Sequence, residues 1–160
     1  MMRLDYQHLA ANGMKAFGGV YRYVSDCGLP KPLVDLAYLR ASQINGCAYC
    51  IDSHSHDLLA AGVPAGKLLL TSAWREAGDV FSDRERAMLA WTEAVTLVAG
   101  KGVSDEVFAI VSAQFTEKEI ADLTVAIGLI NAYNRIAISF RRSPEPRSGS
   151  AAEDPLSGAA

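Results

Sequence analysis

Basic residues, long apolar runs, strand patterns and cysteines are all scarce in this 160-residue chain, and each scarcity removes a class of function. The 15 Lys and Arg are outnumbered by 18 Asp and Glu, for a net charge of −3, so the basic face that non-specific nucleic-acid binding requires is missing. No stretch of about 18 uncharged apolar residues occurs, so no membrane span is expected. The opening Met1-Met2-Arg3-Leu4-Asp5-Tyr6-Gln7-His8 lacks the charged start, apolar stretch and small-residue cleavage site of a signal peptide. A cytoplasmic location is therefore expected. In that compartment structural disulfides are rare, and paired cysteines more often do chemistry or bind metal. There are three cysteines, one close pair and Cys27.

What the chain does have is apolar substance at helical spacing. Half of its residues are apolar, enough for one domain with a real core and no metal or disulfide staple. Tyr6 to Ser25 carries Leu9, Met14, Phe17, Val20, Tyr21 and Val24 three or four apart, and breaks at Cys27-Gly28-Leu29-Pro30. A second helix is predicted from Pro32 to Asn45-Gly46, a third from Cys47 to Ala61-Gly62, and a short one over residues 65–74. Ser82-Asp83-Arg84-Glu85 and Thr116-Glu117-Lys118-Glu119 read as capping boxes. They open helices that run to about Gly100 and about Phe140, and Ser104 caps a further helix to Gln114. No alternating run bounded by hairpin turns is present, so the fold class is all-α. From Ser143 onward Pro, Ser, Gly and Ala dominate. The chain thus divides into a helical domain, residues 1–142, and a flexible C-terminal tail, residues 143–160.

The chemistry concentrates in Cys47-Ala48-Tyr49-Cys50-Ile51-Asp52-Ser53-His54. On a helix, Cys47, Cys50 and His54 share one face, and His56 lies on the opposite side. Gly46 leaves Cys47 in the first turn, where unpaired N–H groups and the helix dipole favour a thiolate. Within a C-x-x-C such a thiol has its pKa lowered from about 8.5 into the range of roughly 3.5–7.5. His54, one turn beyond Cys50, is placed to take a proton or stabilise a thiolate. Two other readings of the pair remain open here: inert buried thiols, and a zinc site completed by His54 and Asp57. His8 and His56 read as surface residues, and Cys27 as a packing residue. Trp74, Trp91, Tyr133 and Phe140 read as core or interface. Arg40 and Asn45 are explained equally by orienting the site and by ordinary capping and pairing.

The longer pattern is more specific. Asp35-Leu36-Ala37-Tyr38-Leu39-Arg40-Ala41-Ser42-Gln43-Ile44-Asn45-Gly46 leads into the cysteine segment, placing a carboxylate twelve residues before Cys47. This stretch resembles the core motif of the AhpD-like alkylhydroperoxidases within the carboxymuconolactone decarboxylase superfamily. Phe81 to Ala87 and Asn131 to Ile138 resemble the later helices of that family. The resemblance spans about residues 1–141. It implies an oligomer-forming helical bundle, as trimers or hexamers, and a thiol-dependent hydroperoxide reductase. Cys50 would attack the hydroperoxide, Cys47 would resolve the product to a disulfide, and His54 with Asp35 would relay protons. A dihydrolipoyl-type or thioredoxin-like dithiol protein would restore the pair, with no cofactor and no metal. The chain departs from the family pattern twice, with Asp35 where Glu is usual and Tyr49 where some members carry His. A lactone-decarboxylating lyase of the same superfamily, whose members generally lack the cysteine pair, and a non-catalytic redox sensor or scaffold are the alternatives.

Overall fold

A computed structural model of the chain describes residues 1–144. Residues 145–160, which make up most of the segment read as a tail, lie outside the described residues. The described residues form helices throughout and contain no strand. In chain order these are α1 (Tyr6–Leu9), α2 (Ala11–Asp26), α3 (Lys31–Asn45), α4 (Ala48–Ala60), α5 (Ala65–Leu70), α6 (Asp83–Thr96), α7 (Val98–Lys101), α8 (Asp105–Ser112) and α9 (Glu117–Ser139). Two 3₁₀ segments, Thr71–Glu76 and Gly78–Val80, join α5 to α6. The all-α expectation is met.

The centre of the fold is α3. Every residue from Leu33 to Leu39 is buried, so the helix is enclosed on all sides instead of presenting one apolar stripe. It packs against α4, α6 and α9. Leu36, Leu39, Leu58, Met88, Leu89, Leu123 and Ile127 are fully buried where these helices meet. The start and stop signals explain the boundaries. Gly46 adopts a left-handed conformation (φ 71°) and ends α3, and both predicted capping boxes are formed, at Ser82–Glu85 and Thr116–Glu119.

Several predicted boundaries differ. The helix read from Tyr6 to Ser25 is two, because Ala10 leaves the helical region (φ −115°, ψ 36°) after Asp5 has capped α1. Gly13, Gly18 and Gly19 do not interrupt α2. The predicted helix over residues 65–74 turns 3₁₀ from Thr71, and the one predicted to reach Gly100 breaks at Leu97 before α7. Cys47 is not inside α4 but is its N-cap, in an extended conformation.

A polar cluster sits inside the bundle where α3 meets α9. Asn134, with no exposed surface, donates from Nδ2 to Ser42 Oγ at 3.0 Å. Its Oδ1 accepts from Asn45 Nδ2 at 2.8 Å, and the same Asn45 nitrogen donates to Asn131 Oδ1 at 2.9 Å. This register fixes the C-terminal end of α3, and hence the point at which Cys47 enters α4. Replacing Asn134 by Leu removes the donor to the Ser42 hydroxyl and one of the two acceptors of the Asn45 amide, at a cost of about 1–3 kcal/mol. The expected outcome is a lower urea midpoint with an unchanged m-value. An unaltered midpoint would show that the cluster does not hold the two helices in register.

Candidate active site

The cysteine pair lies at the start of α4, against α9. Gly46 reverses the chain, Cys47 follows in an extended conformation, and α4 begins at Ala48. The two cysteines are joined in a disulfide with Cα atoms 5.3 Å apart. The Cys47 sulfur accepts from the backbone N–H of Cys50 at 3.4 Å and so caps the helix. Both residues are buried, at 1% and 4% exposure, beside Ala137 of α9. The disulfide excludes the zinc arrangement in this state, since that would need both sulfurs as separate thiolates.

The two sulfurs are not equivalent in their surroundings. Cys50 lines a cavity of about 380 Å³, together with Ser53 and His54 of α4, and Cys47 does not. The remaining walls come from α1, α2, α3 and α9 and include Tyr6, Tyr21, Tyr38 and Tyr133. Arg142, just beyond α9, borders the same cavity. Its guanidinium lies 3.9 Å from the centre of the Tyr49 ring and donates to the Tyr6 hydroxyl at 3.1 Å. Tyr49, where some members of the family that the sequence resembles carry His, thus serves as a platform for a cation.

His54 sits between this cavity and two carboxylates. Donor atoms of His54, Asp35 and Asp57 all lie within 4.8 Å of one another. Asp35, at 3% exposure, is held by an ion pair with Lys31 one turn earlier on α3. Asp57 is exposed and approaches His54 Nδ1 at 3.6 Å, a charge contact with no hydrogen bond made. The His54 ring packs on Tyr38 with centroids 5.0 Å apart, and the Tyr38 hydroxyl is itself buried without a partner. Burial pushes the His54 imidazole below its ordinary value, against the opposing pull of Asp35 and Asp57. Burial likewise drives the Tyr38 phenol far upward, which keeps it protonated. The trio of Asp35, His54 and Asp57 is the one group among the described residues with metal-ligand spacing, and Lys31 already neutralises its buried carboxylate.

Of the residues singled out from sequence, Cys50 and His54 share the cavity, Cys47 is bonded to Cys50, and Asp35 lies beside His54. Arg40 and Asn45 are not part of the site: Arg40 pairs with Glu93 at 2.7 Å, and Asn45 belongs to the asparagine cluster. His56 faces away beside Asp52, His8 is exposed, and Cys27 is a free thiol donating to the Val24 carbonyl. Tyr133 lines the cavity, although its spacing alone reads as core. Tyr38 was legible in principle, since it follows Asp35 by one turn on the same helix. Tyr6, Tyr21 and Arg142 carry no local signal that would have placed them here.

These observations define a helical protein with a cysteine pair and a histidine at a tyrosine-lined cavity. The family model for the carboxymuconolactone decarboxylase family matches residues 9–94, and the chain belongs to that family, as an AhpD-like member. It is similar to the uncharacterised protein YdfG of Bacillus subtilis (strain 168), 34% identical over 138 residues, covering 86% of this chain and 93% of that protein. The solved structure of an Agrobacterium tumefaciens protein of unknown function, described as a candidate antioxidant defence protein AhpD, superposes with a TM-score of 0.88. It is 39% identical and the match covers 92% of this chain and all of the other, 100%. The debrominase Bmp8 in its apo form shares the fold alone, with a TM-score of 0.73 and 22% identity over 81% of this chain and 69% of that one.

The low proton affinity of His54 has a consequence for stability. Its folded pKa lies below the unfolded value of 6.5, so the unfolded chain takes up the proton first as pH falls. The stabilisation is complete above that value and is lost as pH drops through it toward the folded pKa. Urea midpoints should fall between pH 7.5 and pH 5, and His54→Gln should flatten that fall. An NMR titration placing His54 above 6.5 would overturn the assignment.

Proposed function

We propose that the chain is a thiol-dependent peroxidase that reduces organic hydroperoxides through the Cys47–Cys50 pair. The observation that carries this reading is that Cys50 alone of the pair opens on the cavity, beside a histidine whose burial keeps it neutral near pH 7. In the reduced protein the Cys50 thiol passes its proton to His54, and the thiolate attacks one oxygen of the hydroperoxide. The O–O bond breaks, Cys50 becomes a sulfenic acid, and the alkoxide takes the proton from His54 to leave as an alcohol. The Cys47 thiol then condenses with the sulfenic acid, forming the disulfide and releasing water. A dithiol donor, of dihydrolipoyl or thioredoxin-like type, reduces the disulfide and is itself oxidised. Asp35 acts in this scheme by holding charge near His54 and steadying it when protonated, while Lys31 limits the strength of that effect.

Helix position by itself favours Cys47 as the more acidic thiol, since it caps α4. Its enclosure speaks against first attack and suits a resolving role, in which only Cys50 needs to be reached. The proposed functional unit is residues 1–142, acting in the cytoplasm as a homo-oligomer, a trimer or hexamer. Exposed apolar side chains such as Leu69, Val98 and Phe108 support self-association. No helix among the described residues is long and apolar enough to cross a membrane.

The test is peroxide consumption by the reduced protein supplied with dihydrolipoamide, followed by mass spectrometry of the cysteines. Cys50→Ser should abolish turnover. Cys47→Ser should consume one equivalent and stop at a Cys50 sulfenic acid that dimedone traps. His54→Gln should lower kcat/KM by about a hundredfold. Trapping at Cys47 in Cys50→Ser, or full turnover in either cysteine variant, would sink the assignment.

A further inference from the structure

The cavity beside Cys50 is much larger than a small peroxide needs. Water occupies about 30 Å³ per molecule in the liquid, and the space here is about 380 Å³, within the size range of sites for small organic ligands. Its walls have a definite polarity. The faces of Tyr21, Tyr38 and Tyr133, with Met14 and Ile130, are apolar, and among the described residues no aspartate or glutamate lines it. Among the same residues Arg142 is the one permanently charged side chain on it. A cation at a site without an acid is unexpected on a chain of net charge −3.

Arg142 is placed there at some conformational cost. Arg141 takes a left-handed conformation, φ 56°, the only non-glycine among the described residues to do so. That conformation disfavours a residue bearing a Cβ by about 1–2 kcal/mol. It closes α9, and the Arg142 N–H then donates to the Ala137 carbonyl at 2.9 Å. The chain is thereby turned so that the guanidinium lies over the Tyr49 ring and donates one N–H to Tyr6. No carboxylate pairs with Arg142 among the described residues, and the Tyr6 hydroxyl takes one of its N–H groups. A planar guanidinium so positioned matches a carboxylate in a two-point contact. Next to it, Arg141 and Arg142 together border a second cleft with Gln7, which extends the positive edge outward from the cavity.

We infer that the cavity takes an organic hydroperoxide that carries a carboxylate, its apolar body lying among the tyrosines and its carboxylate on Arg142. The carboxylate takes no part in bond making, so the O–O cleavage at Cys50 proceeds as written above. The identity of the ligand as a hydroperoxide rests on the peroxidase reading, whereas the binding of its carboxylate at Arg142 does not. The two are therefore tested separately.

Binding is measured on the oxidised protein, which cannot turn over, by calorimetry with 4-isopropylbenzoate and with the neutral 4-isopropylbenzyl alcohol. The benzoate should bind about tenfold more tightly. That preference should disappear in Arg142→Met, which keeps an apolar stem over Tyr49, and return in part in Arg142→Lys. Equal binding of the two probes, or a preference unchanged in Arg142→Met, would overturn the inference. Turnover is measured on the reduced protein with cumene hydroperoxide and its 4-carboxy derivative. The ratio of kcat/KM should favour the carboxylated substrate and should fall about tenfold in Arg142→Met. If neither hydroperoxide is consumed while the benzoate preference holds and depends on Arg142, the peroxidase reading fails and the carboxylate site stands. If both are consumed with equal efficiency, the carboxylate site fails and the peroxidase reading stands.

Discussion

The enclosure of α3 is the constraint on which the rest of this structure depends. Seven consecutive buried residues, Leu33 to Leu39, require that α4, α6 and α9 all close around one helix. One of those seven is a carboxylate. An ionised aspartate in such a place is costly unless paired and hydrogen-bonded, and Lys31, reaching back from the exposed first turn of α3, supplies the compensating charge. The arrangement is tolerable because Asp35 lies near the end of the enclosed helix and not at its middle. What it yields is a negative charge fixed within reach of His54, whose ring is held in turn by packing on Tyr38. The histidine thus sits between two opposing influences. Burial discharges it, and the neighbouring carboxylates favour its charge. Burial is the larger of the two, so the ring's proton affinity is lowered.

The asparagine cluster does for the cysteine pair what the ion pair does for the histidine. Ser42, Asn45, Asn131 and Asn134 hold α3 to α9 in a single register. The disulfide lies one turn further on, between Gly46 and Ala137. A slip of α9 along α3 would move Ala137, Tyr133 and Arg142 together, since all three follow from the same helix. Fold and cavity are therefore determined by the same set of contacts, and the shared AhpD-like architecture extends over nearly the whole chain.

Much of this was legible from the residues. The capping boxes at Ser82 and Thr116, the stop at Gly46 and the shared face of Cys50 and His54 are local features, and local rules found them. The spacing of Asp35 from Cys47 became meaningful through a family resemblance, not through periodicity. The misplaced features have a common origin. Cys47 reads as helical because the rules for helix starts favour Ser, Thr, Asp or Asn as the capping residue, and a sulfur in that role falls outside them. Just before the break at Ala10, Tyr6 stacks against Phe140, a contact between opposite ends of the described chain that no local rule anticipates. The cavity walls are contributed by five helices, so no window of sequence could contain the pattern. Arg142, at the edge of a compositionally simple segment, reads as an ordinary surface charge until Tyr49 and Tyr6 are found beneath it.

The capping role of Cys47 bears on how the disulfide is opened. A thiolate approaching through the cavity meets the Cys50 sulfur, because the other sulfur has no surface there. Exchange proceeds by attack on one sulfur and departure of the other, so Cys47 is the leaving group. It departs as an anion at the N-terminus of α4, where free N–H groups and the helix dipole receive it. In the proposed peroxidase cycle, oxidant and reductant would use the same opening in alternation, each released before the other enters. That cycle implies substituted-enzyme kinetics, with parallel lines in a double-reciprocal plot. Of possible donors, a thiol on a slender arm can reach this sulfur more easily than one set in a broad protein surface.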